Sequence, residues 1–439
     1  MFGELLQERD TVSSTKLRAL SLKTNFSWTF AGNVVYAGCQ WGMLMVIAKL
    51  GSPQLVGQFA LGLAVTAPVM MLSNLQLRGV LATDANDEHA FGEYLALRLL
   101  TTGLALLAVA GIVVAVGYQR QTALVILAVG LTKGVESISD ITYGFLQHRE
   151  RMDRIAQSMI LRGVSAVVAL WLGVYLTGTV LVGCLGVAAG WVIVLATYDL
   201  GAARRVTPGA PRRWLLSGVR DLARLAAPLG VVMMLGSLNV SIPRYVIQHY
   251  SGERSLGIFA AAAYVMVAGT TVVSALGQSA SPRLAQHYAR GDVAEFWCLI
   301  RRLVVIGAGI GAAGVLVATI FGRQILSTLF RPEYADAANV FVWMMTAAGI
   351  GYVASFFGYG LTAARRFKVQ APLILVVSVV TAASSIIFVP RHGLLGAAWA
   401  TVLGALVQLI GSALILRHVM RVKNAMRWEA PLSTGPYQA

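Results

Sequence analysis

The sequence predicts an all-α integral membrane protein with about twelve transmembrane helices in two six-helix lobes. Three observations carry that prediction. Of 439 residues, 57% are hydrophobic and only 12% are charged, about half the ~25% charged content of a soluble domain. The mean hydropathy is +0.70, and the apolar residues gather in runs of roughly 20, the length a helix needs to cross ~30 Å of hydrocarbon. Short motifs of the first half also recur, in order, in the second.

Taken in chain order, residues 1–26 contain acids, and no small-residue cleavage site precedes the long apolar run. They read as a cytoplasmic, partly amphipathic lead-in rather than a signal peptide. Spans at 27–48, 55–77, 94–117, 122–145, 157–177 and 179–199 make an N-terminal lobe, 27–199. Residues 200–224, GAARRVTPGAPRRWLLSGVRDLARL, suit a basic cytoplasmic linker in their Arg, Pro and Gly content. Spans at 225–250, 255–280, 300–322, 336–361, 371–389 and 393–418 make a C-terminal lobe, 225–418, and 419–439 form a cytoplasmic tail. The runs lack the ~10-residue alternation of an outer-membrane barrel. With the N-terminus inside, 25 Lys and Arg lie on the cytoplasmic side and 6 on the other, which places both termini in the cytoplasm.

The repeat begins with Gly57-Gln58-Phe59-Ala60, which reappears as Gly257-Ile258-Phe259-Ala260. Tyr143-Gly144 then matches Tyr359-Gly360, and Leu185-Gly186-Val187-Ala188-Ala189 matches Leu395-Gly396-Ala397-Ala398-Trp399. Six spans per half is an even number, so the halves share one orientation. They are expected to be related by a pseudo-two-fold axis along the membrane normal, with a binding site between them. Glycines within spans, as in GAGIGAAG (307–314), serve close helix packing or hinge motion. Pro68, Pro228 and Pro243 can kink their helices.

The net charge of +16 does not point to nucleic acid. The basic residues form short clusters between spans, where topology demands them, and no large soluble domain exists to carry a nucleic-acid surface. Cys39, Cys184 and Cys298 are odd in number and without CxxC spacing, which argues against a disulfide framework or a zinc site. HExxH, GxxxxGK[ST], GxSxG and DxD are all absent. No segment outside the membrane is large enough for an ATPase or glycosyltransferase domain. The expectation is a protein that is not an enzyme and needs no cofactor, with transport driven by an ion gradient, the membrane potential or the substrate gradient.

The charges inside spans say most about function. Lys133, Glu136 and Asp140 fall in the fourth span at i, i+3 and i+7, on one helical face. Each costs about 2.5–3.5 kcal/mol at a helix centre exposed to lipid, so that face must turn toward protein or water. One reading is an internal Lys133–Glu136 pair, with Asp140 bonded to an arginine of a neighbouring span such as Arg162. The other is an aqueous cavity in which Glu136 and Asp140 are available for proton or sodium coupling. Arg98 lies near the start of its span, where snorkelling to the cytoplasmic surface is expected. Arg162 lies about one and a half turns into its span, and Arg244 follows Pro243 toward the outer end. Arginine donates two parallel bonds to phosphate, so cations on several spans suit an anionic, phosphorylated substrate.

Several segments carry a resemblance: LRGVLATD (77–84), YLALRLL (94–100), PLGVVMMLGSLNVSIPRY (228–245), LGIFAAAAYVMVAG (256–269), ALGQSASPRLAQHY (275–288) and RPEYADA (331–337). Over about 25–420 the chain resembles the polysaccharide transporter branch of the multidrug/oligosaccharidyl-lipid/polysaccharide exporter superfamily, which includes flippases for O-antigen, capsule and exopolysaccharide units. That resemblance implies two lobes forming a V around a central cavity in the bacterial cytoplasmic (inner) membrane. It implies as substrate an oligosaccharide linked to undecaprenyl pyrophosphate, moved from the inner to the outer leaflet. Membrane lipid, a polysaccharide polymerase and glycosyltransferases are the partners it implies. Cationic cavity residues of such flippases hold phosphate, a role that falls here to Arg78, Arg98, Lys133, Arg162, Arg244 and Arg283 as candidates. Arg78 and Arg283 occupy corresponding loops of the two halves, where positive-inside anchoring explains them equally well. Three other readings compete: a cation-coupled multidrug or metabolite antiporter of the same superfamily, a membrane-embedded polysaccharide polymerase or ligase, and a non-transporting scaffold.

Overall fold

The computed structural model describes residues 21–84, 88–202, 216–366 and 369–429. The lead-in before residue 21, linker residues 203–215 and the tail from residue 430 lie outside the described residues. Among those described there is no strand. Ten continuous helical stretches are long and apolar enough to cross a membrane, and the chain is a multi-pass membrane protein. Large apolar side chains such as Leu104, Leu107, Val114, Leu316 and Ile320 stand more than half exposed around the outside. So wide an apolar surface is stable only against lipid.

The N-terminal lobe comprises α1 (Leu22–Leu50), α2 (Pro53–Asn74), the short α3 (Leu77–Ala82), α4 (Phe91–Val116), α5 (Arg120–His148), α6 (Met152–Thr177) and α7 (Val180–Val194). A π-helical turn, Leu195–Asp199, closes α7. The C-terminal lobe comprises α8 (Leu216–Val265), α9 (Val267–Arg290), α10 (Val293–Leu329), α11 (Ala338–Ala363) and α12 (Gln370–Glu429). Two of these are each two helices joined at one non-helical glycine, Gly252 (φ 75°) in α8 and Gly393 (φ 56°) in α12. The chain reverses at both. Arg244 and Tyr264 lie near one another, although twenty residues of unbroken helix would part them by ~30 Å. A Cβ on Gly396 would lie 2.3 Å from the Phe388 carbonyl oxygen. Counting both reversals, ten stretches supply the twelve predicted passes.

Helices overrun the predicted spans. The fourth span, expected at 122–145, is helical over Arg120–His148, and the ninth, expected at 300–322, over Val293–Leu329. Hydropathy marks only the apolar stretch, whereas backbone hydrogen bonding continues into the interface. One span is divided rather than extended. The expected helix at 55–77 ends at Asn74, and Leu75 and Gln76 adopt left-handed φ of 49° and 53° before α3 begins. That turn sends α3 across α5, where Gly144 leaves room for the Arg78 backbone 3.1 Å from where its Cβ would be.

The lobes meet at the Gly57 repeat. A Cβ on Gly57 would lie 1.9 Å from the Glu253 carbonyl oxygen, and one on Gly257 would lie 1.8 Å from that of Pro53. Gly57 thus faces Glu253 as Gly257 faces Pro53, each partner 200 positions from its counterpart. A contact in which i meets j while j's mate meets i's mate is the signature of a two-fold axis. At the same end of the bundle Lys49 Nζ donates to the Thr328 carbonyl and Arg331 to that of Gly51. Along the seam α2 packs on α8, with Tyr245 donating to the Ala64 carbonyl and Gly230 against that of Leu72. The opposite seam differs. There α1 leans on α6, with Gly32 against Ala156, and has scarcely any contact with α9.

Candidate functional site

The partly exposed residues of α5 include Lys133, Glu136, Asp140 and Gln147, a polar track ~21 Å long on one helical face. Leu124, Leu127 and Leu131 stand exposed elsewhere on the same helix. Lys133 Nζ donates to Glu136 Oε2 at 2.7 Å, each side chain 28% exposed. Tyr36 of α1 donates to the other carboxylate oxygen at 3.0 Å. The expected internal pair is therefore present. Lys133 also lines a small cavity with Gln40, Phe59, Cys184 and Trp191.

Asp140 does bond an arginine of a neighbouring span, but it is Arg98, joined by Arg78, rather than the Arg162 named as an example. Its Oδ2 accepts from Arg98 Nη2 at 3.3 Å and its Oδ1 from Arg78 Nη1 at 3.3 Å. Arg162 instead donates to Tyr143 at 3.3 Å and lies over the Trp191 ring, 4.1 Å from the centroid. Arg98 is a second correction. It does not snorkel: it is 0% exposed and held by Asn74, Ser137 and Asp140. Its long side chain found anionic and polar partners inside the lobe for both Nη atoms, while Nε is buried without one. Arg78 also donates to Gln147 at 3.3 Å, and the two line a cavity of about 150 Å³ with Thr29 and Asn33 of α1.

Arg162 begins a directed chain. Ser158 gives its proton to Asp199, so Tyr143, 2.6 Å from Ser158, must donate to Ser158 while accepting from Arg162. Asp199 was not among the sequence candidates. An acid closing an otherwise apolar sixth span is the signal that could have found it. Tyr36, Asn74, Ser137 and Gln147 were missed as well, because neutral polar residues in spans carry no comparable energetic alarm.

Around α5 the N-terminal lobe therefore gathers four cations (Arg78, Arg98, Lys133, Arg162) and three carboxylates (Glu136, Asp140, Asp199), while the further buried charges Glu93 and Arg151 pair with His89 and Asp153. At the repeat-mates of Lys133, Glu136 and Asp140, using the 216-residue offset of Tyr143 and Tyr359, α11 carries Gly349, Tyr352 and Phe356. The intramembrane charge is thus nearly all on one lobe. Arg244, on α8, is half-buried and makes no hydrogen bond or ion pair to a described residue. Arg283 is exposed on α9, apart from the α5 cluster that Arg78 joins.

Glu253 is a further residue that the sequence reading passed over. Its Oε2 accepts from Gln54 at 3.2 Å and Gln58 at 3.0 Å, and its Oε1 accepts from Thr122. One carboxylate of the C-terminal lobe thereby ties two helices of the other, beside Gly57.

Comparison with known proteins agrees with this architecture. The chain is 28% identical over 402 residues to the capsular polysaccharide biosynthesis protein CapF of Staphylococcus aureus, covering 88% of this chain and 97% of that one. Its fold matches the lipid II flippase MurJ in an inward closed conformation, with a TM-score of 0.69 at 11% identity over 94% of each chain. It also matches an inward-facing multidrug resistance MATE family transporter of the MOP superfamily, with a TM-score of 0.62 at 15% identity over 93% of this chain and 97% of that one. Identities this low speak for the two-lobe fold alone. The profile described as "Polysaccharide biosynthesis protein" matches residues 22–287, more than half the chain, and the protein belongs to that family.

Proposed function

We propose that the protein is a flippase that moves a lipid-linked, phosphate-bearing saccharide across the membrane for surface polysaccharide synthesis, by alternating access between the two lobes. The observation that carries this reading is the gathering of Arg78, Arg98, Lys133 and Arg162 around α5 against three carboxylates, with Arg244 of the other lobe unpaired among the described residues. An anionic headgroup is the ligand such a surplus attracts. The substrate class follows from joining that surplus to the family and to the weak α1–α9 seam. A lipid-linked molecule needs a lateral opening, so that its acyl part stays in the bilayer while its polar part crosses.

Exposure sorts the candidates. Lys133, Arg78 and Arg244 retain accessible surface and are assigned to the phosphates. Arg98 and Arg162 are buried, and act by holding Asp140, Tyr143 and Trp191 in place. Arg283 is assigned to the entrance. Glu136 and Asp140 already hold cationic partners, so proton or sodium coupling through either one would break an ion pair. The lysine and arginine imbalance supports assigning the Arg78 and Arg283 end to the cytoplasm, and both termini with it. The Lys49–Thr328 and Arg331–Gly51 bonds then close the outer end, which supports an inward-open reading of this conformation.

The antiporter alternative fits less well, because a cationic substrate would meet like charge. A polymerase or ligase needs an outer catalytic segment. The described connections at that end are short: residues 51–52, 117–119, 178–179, 252, 330–337 and 393. The test is a deletion strain. Loss of surface polymer with inner-leaflet accumulation of the lipid-linked unit is the expected result, and normal polymer without a redundant flippase would refute the proposal. Flipping of the lipid-linked unit in liposomes carrying the purified protein would separate transport from synthesis.

A further inference from the structure

We infer that the cytoplasmic flank of the C-terminal lobe carries a binding site for the phosphate headgroup of an anionic membrane phospholipid, formed by Arg417, Arg421 and Trp297. The site is a cavity of about 380 Å³ between the start of α10 and the end of α12, lined by Val293, Trp297, Arg417, Met420 and Arg421. That volume is within the range of small-molecule sites. Arg417 and Arg421 are spaced i, i+4 and share one helical face. Neither makes an ion pair with a described residue, and no acidic side chain lines the cavity. Lys423 does not compete for the same ligand, since its ammonium lies 5.3 Å from the Tyr288 ring centroid.

Depth argues for a lipid. The apolar run of α12 ends at Leu416, so Arg417 stands where hydrocarbon gives way to headgroups. Leu414, one turn earlier, is 60% exposed, and Val305 and Ile306 of α10 are also exposed. The cavity thus opens beside a lipid-facing wall. Val293 and Met420 receive the glycerol and upper acyl carbons, the two guanidiniums receive the phosphate, and Trp297 takes the interfacial position indoles favour. The site is separate from the α5 cluster: only α10 and α12 of the C-terminal lobe line it.

The assignment is tested with the full chain in phosphatidylcholine nanodiscs doped with brominated phosphatidylglycerol. The fluorescence that Trp297→Phe removes should be quenched by brominated phosphatidylglycerol and far less by brominated phosphatidylcholine. At about one order in affinity for every 1.4 kcal/mol, and about 1 kcal/mol per arginine near the surface, the Arg417→Gln/Arg421→Gln variant should need roughly 30-fold more of the anionic lipid. The Arg417→Lys/Arg421→Lys variant should keep most of the effect, and its normal elution would show that the fold tolerates change here. Equal quenching by both lipids, or an unchanged response in the glutamine variant, overturns the site. Displacement of the lipid by millimolar inorganic phosphate overturns the lipid assignment, leaving a soluble-anion site.

Discussion

Gly57 and Gly257 mark the closest approach of the lobes, where a Cβ on the first would lie 1.9 Å from the Glu253 carbonyl oxygen and one on the second 1.8 Å from that of Pro53. Both obstacles are backbone, so neither can move aside. Gly57→Ala and Gly257→Ala should each lower stability by about 1–3 kcal/mol through overpacking, and abolish transport by forcing the seam apart. Gly103→Ala is the control, because nothing lies within 4 Å of its Cβ position; it should stabilise by ~0.5–1 kcal/mol. Thermal melts of the three variants in detergent decide the matter. Equal Tm values would contradict the contact.

Asp140 and Lys133 should separate by phenotype. Asp140→Asn leaves fully buried Arg98 without its carboxylate, a loss of the order of 3–5 kcal/mol. Protein abundance should fall in step with activity. Lys133→Ala breaks a pair that is 28% exposed on each side, for which ~1 kcal/mol is expected after solvent screening. Abundance should hold while transport drops. Immunoblots beside a polymer assay read both, and a reversed order would reverse the roles assigned here.

Arg244 has no hydrogen-bonded or ionic partner to lose among the described residues. Arg244→Gln should therefore leave the melting temperature within about 2 °C of wild type, as for a change near ±0.5 kcal/mol, yet reduce transport at least tenfold. A stable, fully active Arg244→Gln protein would remove this residue from the phosphate site.

Glu253 ties Gln54, Gln58 and Thr122 across the lobes. Glu253→Gln weakens charge-assisted bonds to neutral ones, roughly half as strong. Spin labels at Gln121 and Gln324, on opposite lobes, should then show a larger population at long separation. An unaltered distance distribution would mean that the carboxylate does not hold the end closed.

Asp84 lies in the loop after α3. Burial pushes its carboxyl up, but N–H groups of Glu88 and His89 and the Tyr94 hydroxyl outweigh burial and hold it below the ordinary aspartate range. A lowered folded-state value contributes stability above the unfolded pKa of about 3.9, and that contribution disappears as pH falls through the folded value. Melting curves from neutral pH into that acid range should show a drop that Asp84→Asn lessens.

Lys133 and Glu136 were legible as a pair because three residues along a helix always bring side chains together. Asp140 was legible as a charge that lipid would not accept and that needed an arginine from a neighbouring span, though which arginine was not. Its partners depend on the left-handed turn at Leu75 and Gln76, which carries Arg78 over α5, and no local pattern announces that turn. Arg98 was misjudged because position along a span reports depth, not the direction in which a long side chain finds its partners. Glu253 drew no notice since a carboxylate near a span end is unexceptional until the opposing helix supplies two glutamines and a threonine.

By itself the sequence determined the membrane setting, the number of passes, the repeat and the rule that the charged face of α5 must avoid lipid. Those follow from transfer free energies, which accumulate residue by residue along a helix whatever its neighbours are. Only the tertiary structure decided that Asp140 bridges Arg98 and Arg78, that Arg162 turns to Trp191 and Tyr143, and that Gly57 and Gly257 meet at the seam. Ion pairs and close contacts act over a few ångströms between helices distant in sequence, so packing, not periodicity, chooses them.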